Sequence, residues 1–158
     1  MTDIILSPVQ TGHVILLADD NENDRFLLRR AFQRLGVANP VREVKSGAEV
    51  MAYLEGEGLY SDRTEYPFPS ILLLDLHMPD GDGFQVLNRI RNKLVAGGFL
   101  IIVLSRLDEI KNINRAYALG AHSFLSKPGN ETELQDLIHS FHDYWIVRNR
   151  RPSEDVAG

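Results

Sequence analysis

The chain has 158 residues, 44% of them apolar and 25% charged, a length and balance that suit one soluble globular domain with a proper core. Its formal net charge of −5 argues against non-specific attraction to nucleic acid or to an anionic membrane surface, and with no cysteine it forms neither disulfides nor thiolate sites. Met1 to Gln10 carries no cluster of positive charge ahead of an apolar stretch, and no apolar run approaches a membrane span of about 18 residues, so a cytoplasmic location is expected.

From the N-terminus, residues 1–12 read as an extension. His13 to Ala18 is a nearly continuous apolar run that suits a strand buried on both faces, and it ends in Asp19-Asp20. Asn21 to Leu35 reads as a helix with Leu27, Leu28, Ala31, Phe32 and Leu35 at three- and four-residue steps, and Gly36 as its stop. Phe26 falls away from that apolar stripe, so it is either a docking aromatic or peripheral packing. Pro40 to Lys45 is a second strand, and Ser46 is the N-cap of a helix carrying Val50, Met51 and Leu54. Gly56 to Pro69 reads as a surface loop.

Ile71 to Leu74 is a third strand, ending in Asp75. A turn from His77 to Gly83 leads into a helix marked by Phe84, Val86, Leu87, Ile90 and Leu94. Phe99 to Leu104 is a fourth strand, ending in Ser105; a helix with Ile110, Ile113, Ala116 and Tyr117 follows and stops at Gly120. Ser123 to Ser126 is a fifth strand, ending in Lys127-Pro128. The last helix spans about Glu131 to Val147, with Leu134, Leu137, Ile138, Phe141 and Trp145 on one face, and residues 148–158 form a tail. Five strand–helix units in alternation, over residues 13–147, predict an α/β fold: an open, doubly wound, five-stranded parallel sheet with helices on both faces. Its ligand site belongs at the carboxyl ends of the strands.

The strand ends carry the chemistry. Asp19-Asp20, Asp75, Ser105 and Lys127 close four separate strands, and parallel strands put them on one rim. Any one of these acids alone reads equally well as a helix cap. Together, three converging carboxylates need a cation, and hard oxygen donors without a His or Cys cluster point to Mg²⁺. Lys127 and the Ser105 hydroxyl suit phosphoryl oxygens, and Asp75, ending the central strand, suits a carboxylate nucleophile.

These residues resemble the receiver domains of bacterial response regulators. The likeness rests on Asp19-Asp20, on LLLDLHMPDGDGF around Asp75, on VLS ending at Ser105 and on FLSKP around Lys127, with Asp75 lying 30 residues before Ser105 and 52 before Lys127. It implies a flavodoxin-like fold and a signalling phosphoacceptor rather than an enzyme acting on a separate substrate. Asp75 would be the phosphorylated residue, with Lys127 and Ser105 completing the site. Asp20 and Asp75 would ligate Mg²⁺ directly, Asp19 mainly through a water, and His77 through its backbone carbonyl. Ser105 and Phe124 would form the switch, Pro79 and Gly83 would shape the loop after Asp75, and the Lys127–Pro128 bond is similar to one that is cis in this family.

Two departures stand out. Arg106 follows Ser105 where the family usually has a small residue; it either screens the pocket, altering water attack or donor choice, or points to solvent. Gly56 to Pro69 resembles the loop of small regulators that partner phytochrome-type histidine kinases, as does the ending FHDYWIVRNRRP, though a passive insertion reads as well. The implied partners are a histidine kinase or a histidine phosphotransfer protein, with no nucleic acid and no membrane. The aromatics Tyr117, Phe124, Phe141, Tyr144 and Trp145 read as core, but the last helix carries more apolar surface than one face can bury, which suggests a homodimer through that side. The remaining histidines read as surface groups. A haloacid-dehalogenase-type phosphatase wants an acid where His77 stands, and the Gly-rich nucleotide motifs are absent. The eleven residues after the last helix are too few for a DNA-binding effector. A receiver that binds partners without phosphorylation is the remaining alternative.

Overall fold

The computed structural model describes residues 14–37, 39–93, 100–141 and 143. His13, Leu94, Phe99, His142, Tyr144, Trp145 and Val147, placed above in strands or helices, lie outside these residues, as do the extension and the tail. The strands are β1 (Ile15–Ala18), β2 (Val41–Val44), β3 (Ile71–Leu74), β4 (Leu100–Ser105) and β5 (Ser123–Ser126). The helices are α1 (Glu22–Arg34), α2 (Gly47–Glu55), α3 (Gly83–Lys93), α4 (Ile110–Ala118) and α5 (Glu131–Phe141). All strand pairs are parallel, in the order β2-β1-β3-β4-β5.

Side chains alternate along each central strand, so the sheet buries two separate cores. Leu16, Ala18, Leu72, Leu74, Ile101 and Val103 face α2, α3 and α4, meeting Val50, Met51, Leu54, Phe84, Leu87, Ile90 and Ala116. Ile15, Leu17, Ile71, Leu73, Ile102 and Leu104 face α1 and α5, meeting Leu28, Ala31, Phe32, Leu134, Ile138 and Phe141. Phe32 and Phe141 close that second core edge to face, with ring centroids 6.4 Å apart.

Local chemistry sets the helix ends. The Asn21 side chain accepts from the Asp24 amide and Ser46 from the Glu49 amide, each satisfying an orphan donor of the first turn. Gly36 ends the first helix region with φ of 70°, a conformation that costs other residues.

Two expectations are corrected, for α4 and for Gly56 to Pro69. The apolar face anticipated for α4 is mostly not core: Ala116 is buried, but Ile110 is 74% and Tyr117 47% exposed. Its neighbour β5 is the edge strand and is half-exposed along most of its length. On α5, by contrast, Leu134, Ile138 and Phe141 are buried, and the exposed large apolar side chains among the described residues lie elsewhere. Gly56 to Pro69 is not a plain loop. It holds a 3-10 turn (Gly58–Ser61) and packs Tyr60 and Tyr66 on the fully buried Tyr53, with centroids 5.0–6.0 Å apart.

Candidate functional site

The strand order reverses between β1 and β3: β2 lies on one side of β1, and β3, β4 and β5 on the other. That reversal opens a crevice at the carboxyl ends of the two strands. Ala18 pairs with Leu74, so Asp19 and Asp75 leave the sheet side by side, and the Asp75 amide donates to the Ala18 carbonyl at 2.9 Å. Ser105 ends β4 level with Ser126 on β5, which sets Lys127 beside it; the Lys127 amide donates to the Ser105 carbonyl at 2.9 Å. The structure thus brings together Asp19, Asp20, Asp75, Ser105 and Lys127. All but Asp19 line a cleft of about 250 Å³, together with Asn21, Asp24, His77, Arg106 and Leu107.

Lys127 is the hub. Its ammonium donates to Asp19 Oδ2 at 2.7 Å, to Asp75 Oδ2 at 3.0 Å and to Asp24 Oδ2 at 3.1 Å, and its side chain is 3% exposed. Burial alone would lower its pKa, but the charges of Asp75 and Asp19 outweigh burial and hold it above the ordinary lysine value. Burial raises the Asp19 carboxyl, and Lys127 offsets that only in part. The nearby Asp75 charge adds a smaller push in the same direction as burial on Asp19.

One oxygen from each of Asp19, Asp20 and Asp75 lies within 4.8 Å of the others. Such a set of hard oxygen donors, two of them buried, fits Mg²⁺ or Mn²⁺ and not a soft metal. The other donors around it are ordered by the backbone. Asp19 Oδ1 accepts from the Asn21 amide at 3.0 Å, Asp75 Oδ1 from the His77 amide at 3.3 Å, and Ser105 Oγ from the Leu107 amide at 3.0 Å. Gly83 is required at the end of the following turn, because a Cβ there would lie 2.7 Å from the Asp75 carbonyl oxygen and the Leu76 Cα.

The response regulator receiver domain family matches residues 15–139. The chain belongs to that family. Receiver domains are signalling phosphoacceptors that bind a divalent cation in an acidic pocket, and this chain carries an acidic cluster of Asp19, Asp20 and Asp75. The probable methanogenesis regulatory protein FilR2 of Methanothrix harundinacea is 31% identical over 142 residues, covering 88% of this chain and 87% of that one. The cyanobacterial phytochrome response regulator RcpA, solved phosphorylated, superposes with a TM-score of 0.81 at 30% identity, covering 89% of this receiver and 99% of that chain. The Mn²⁺-bound response regulator Rcp1, a protein of Synechocystis sp., does so with a TM-score of 0.80 at 25% identity over the same shares of the two chains. The flavodoxin-like receiver fold that the resemblance implied is thereby established.

Asp24 and the Lys127–Pro128 bond stand differently from expectation. Asp24 was not among the anticipated site residues, yet it is buried and bonded to both Lys127 and Arg106. The signal available was an acid in the first turn after an acidic pair, which reads first as a partner of the helix dipole. Phe124 is half-buried against the α2–α3–α4 core; its amide donates to the Tyr117 hydroxyl at 3.1 Å, and it is not among the residues lining the cleft. The Lys127–Pro128 bond is trans, not cis. A trans X–Pro bond is the lower-energy isomer, and the Lys127 contacts above are made with it. His122 is exposed, as read from the sequence, and its Nδ1 accepts from the Ile101 amide at 3.0 Å.

Proposed function

We propose that this receiver is a stand-alone response regulator that accepts a phosphoryl group on Asp75 from a phosphohistidine and signals by protein–protein contact. The observation that carries this reading is the meeting of Asp19, Asp20 and Asp75 at one point, with Lys127 3.0 Å from the Asp75 carboxylate. An Asp75 oxygen forms the bond to phosphorus as the phosphorus–nitrogen bond of the donor breaks. Lys127 exchanges one carboxylate contact for a phosphoryl oxygen. Ser105 Oγ already accepts from the Leu107 amide, so its own hydrogen is left to donate to a second phosphoryl oxygen. Asp20 and Asp75 directly, Asp19 through a water and the His77 carbonyl would hold Mg²⁺, which when bound neutralises the acidic cleft and the incoming phosphoryl charge. Ser105 and Phe124 belong to this reading as the switch pair.

The partner that fits best is a phytochrome-type histidine kinase, directly or through a histidine phosphotransfer protein. RcpA and the tyrosine-packed segment before β3 support it. A homodimer is part of the reading, and among the described residues the exposed apolar side chains in its favour are Ile110 and Tyr117 on α4. Among the described residues no helix is long and apolar enough to cross a membrane, and a cysteine-free chain exchanging phosphate with a kinase fits the cytoplasm.

Incubation with acetyl phosphate and Mg²⁺, followed by intact mass, tests the chemistry. A Mg²⁺-dependent phosphoryl adduct is expected on the wild type and not on Asp75→Asn. No adduct from acetyl phosphate or from histidine kinases would leave a binding module that works without phosphorylation.

A further inference from the structure

Arg106 and Asp24 form a pair that the transfer chemistry above does not use. Arg106 donates from Nη1 to Asp24 Oδ2 at 2.7 Å and from Nη2 to Oδ1 at 3.2 Å. A guanidinium gripped at both prongs is fixed in orientation as well as charge. The two ends of the pair differ in exposure: the Asp24 side chain is 7% exposed and that of Arg106 53%. The cation is therefore anchored to the wall of the cleft that the buried Asp75 also lines, at its solvent-facing side. Asp24 Oδ2 also accepts from Lys127 Nζ, so one oxygen ties the half-exposed cation to the buried one. The alternative of a side chain lying free in solvent does not describe this geometry.

We propose that Arg106, latched by Asp24, lies over the phosphoryl group carried by Asp75 and slows its hydrolysis, so that the pair sets the lifetime of the phosphorylated state. The inference rests on the reading of Asp75 as the phosphoacceptor. In hydrolysis a water oxygen bonds to phosphorus while the bond from the Asp75 oxygen to phosphorus breaks. The carboxylate is restored, and both water protons leave on inorganic phosphate. The attacking water has to come in line, opposite the Asp75 oxygen, which means through the open side of the cleft. A guanidinium held there occupies that approach and binds phosphoryl oxygens with the donors that Asp24 does not use. Asp24 is a positioning residue in this scheme, acting through Arg106.

The test is the decay of the phosphoryl adduct after the donor is removed, followed by intact mass with Mg²⁺ present. It compares the wild type with Arg106→Ala, Arg106→Lys, Asp24→Asn and the Arg106→Ala/Asp24→Asn double variant. Arg106→Ala should shorten the half-life about fivefold, which is about 1 kcal/mol on the barrier. Asp24→Asn should shorten it to a similar extent. The double variant should decay no faster than either single one, because both changes open one latch. Arg106→Lys keeps the charge without the fork and should recover only part of the lifetime. Melting curves of each protein separate a folding defect from a lifetime effect, and Arg106→Ala, which removes a half-exposed side chain, should melt close to the wild type. An unchanged or longer half-life in Arg106→Ala overturns the proposal. So do fully additive single effects or complete rescue by Arg106→Lys, either of which removes the latch. An adduct that forms but decays at one rate in every protein overturns this inference alone, whereas a wild type that never forms an adduct overturns the phosphoacceptor reading and this inference with it.

Discussion

Lys127 and Arg63 are both drawn into the protein, and they are housed in opposite ways. Lys127 sits among three carboxylates at 2.7–3.1 Å. Arg63 sits among neutral groups: it donates to the Leu54 carbonyl at 2.8 Å and the Tyr66 carbonyl at 3.0 Å, and its guanidinium lies over the rings of Tyr53 and Phe68. Arg63 is complete as it stands. It ties the end of α2 to the tyrosine-packed segment, where the Tyr53 hydroxyl adds a bond to the Pro67 carbonyl at 2.9 Å. The Lys127 site is not complete. Its acids outnumber its bases, so it gains from any added positive charge and yields when a phosphoryl group competes for the lysine. A balanced cation stiffens a fold, while an unbalanced one makes a site that responds to what binds.

The sharpest break of that contrast is Lys127→Met. Removing one member of a buried ion cluster leaves its acids uncompensated, and urea unfolding without divalent cations should show a loss of about 3 kcal/mol. Nearly as large is the effect of Mg²⁺ on the wild type: at about a hundred times its dissociation constant it should add about 2.7 kcal/mol, read as a rise in melting temperature. Asp20→Asn should lose most of that gain, since it removes one of the three converging oxygens. Arg63→Ala should cost about 1 to 2 kcal/mol through two carbonyls left without a donor, and should keep the full Mg²⁺ response. A Mg²⁺ response that changes with Arg63 would mean the two regions are coupled, and the contrast would fail.

The smallest effect concerns Asp24. Burial pushes its carboxyl up, but hydrogen bonds from Arg106 and Lys127 outweigh that and hold it below the ordinary value of 3.8. A folded value below the unfolded one adds stability that is complete above the unfolded value and is lost as the pH falls through the folded value. Melting temperature against pH should therefore fall less steeply on the acid side in Asp24→Asn than in the wild type. An identical acid limb in the two proteins would place the stabilisation elsewhere.

Much of the molecule was legible residue by residue. Ile71–Leu74 and Ser123–Ser126 match the strands read from apolar runs, and Asn21 and Ser46 cap the helices they precede. These are local signals: an apolar run bounded by polar residues, and a side-chain acceptor three residues before an amide. The rim residues Asp19, Asp20, Asp75, Ser105 and Lys127 were legible for the same reason, since they close four apolar strands. Ile110 and Tyr117 misled, because helical spacing marks an apolar stripe without saying whether a neighbour covers it.

Sequence alone determined the alternation of strands and helices, the chemistry at the strand ends and, through them, the family. Only the tertiary structure decided the strand order, the arrival of Asp24 between Lys127 and Arg106, the tyrosine cluster around Arg63 and the bare side of α4. Periodicity and capping act over a few residues, and the chain encodes them where they are used. The balance of charge around Lys127 depends on residues up to 108 positions apart and on burial, so it exists only once the sheet has brought them together.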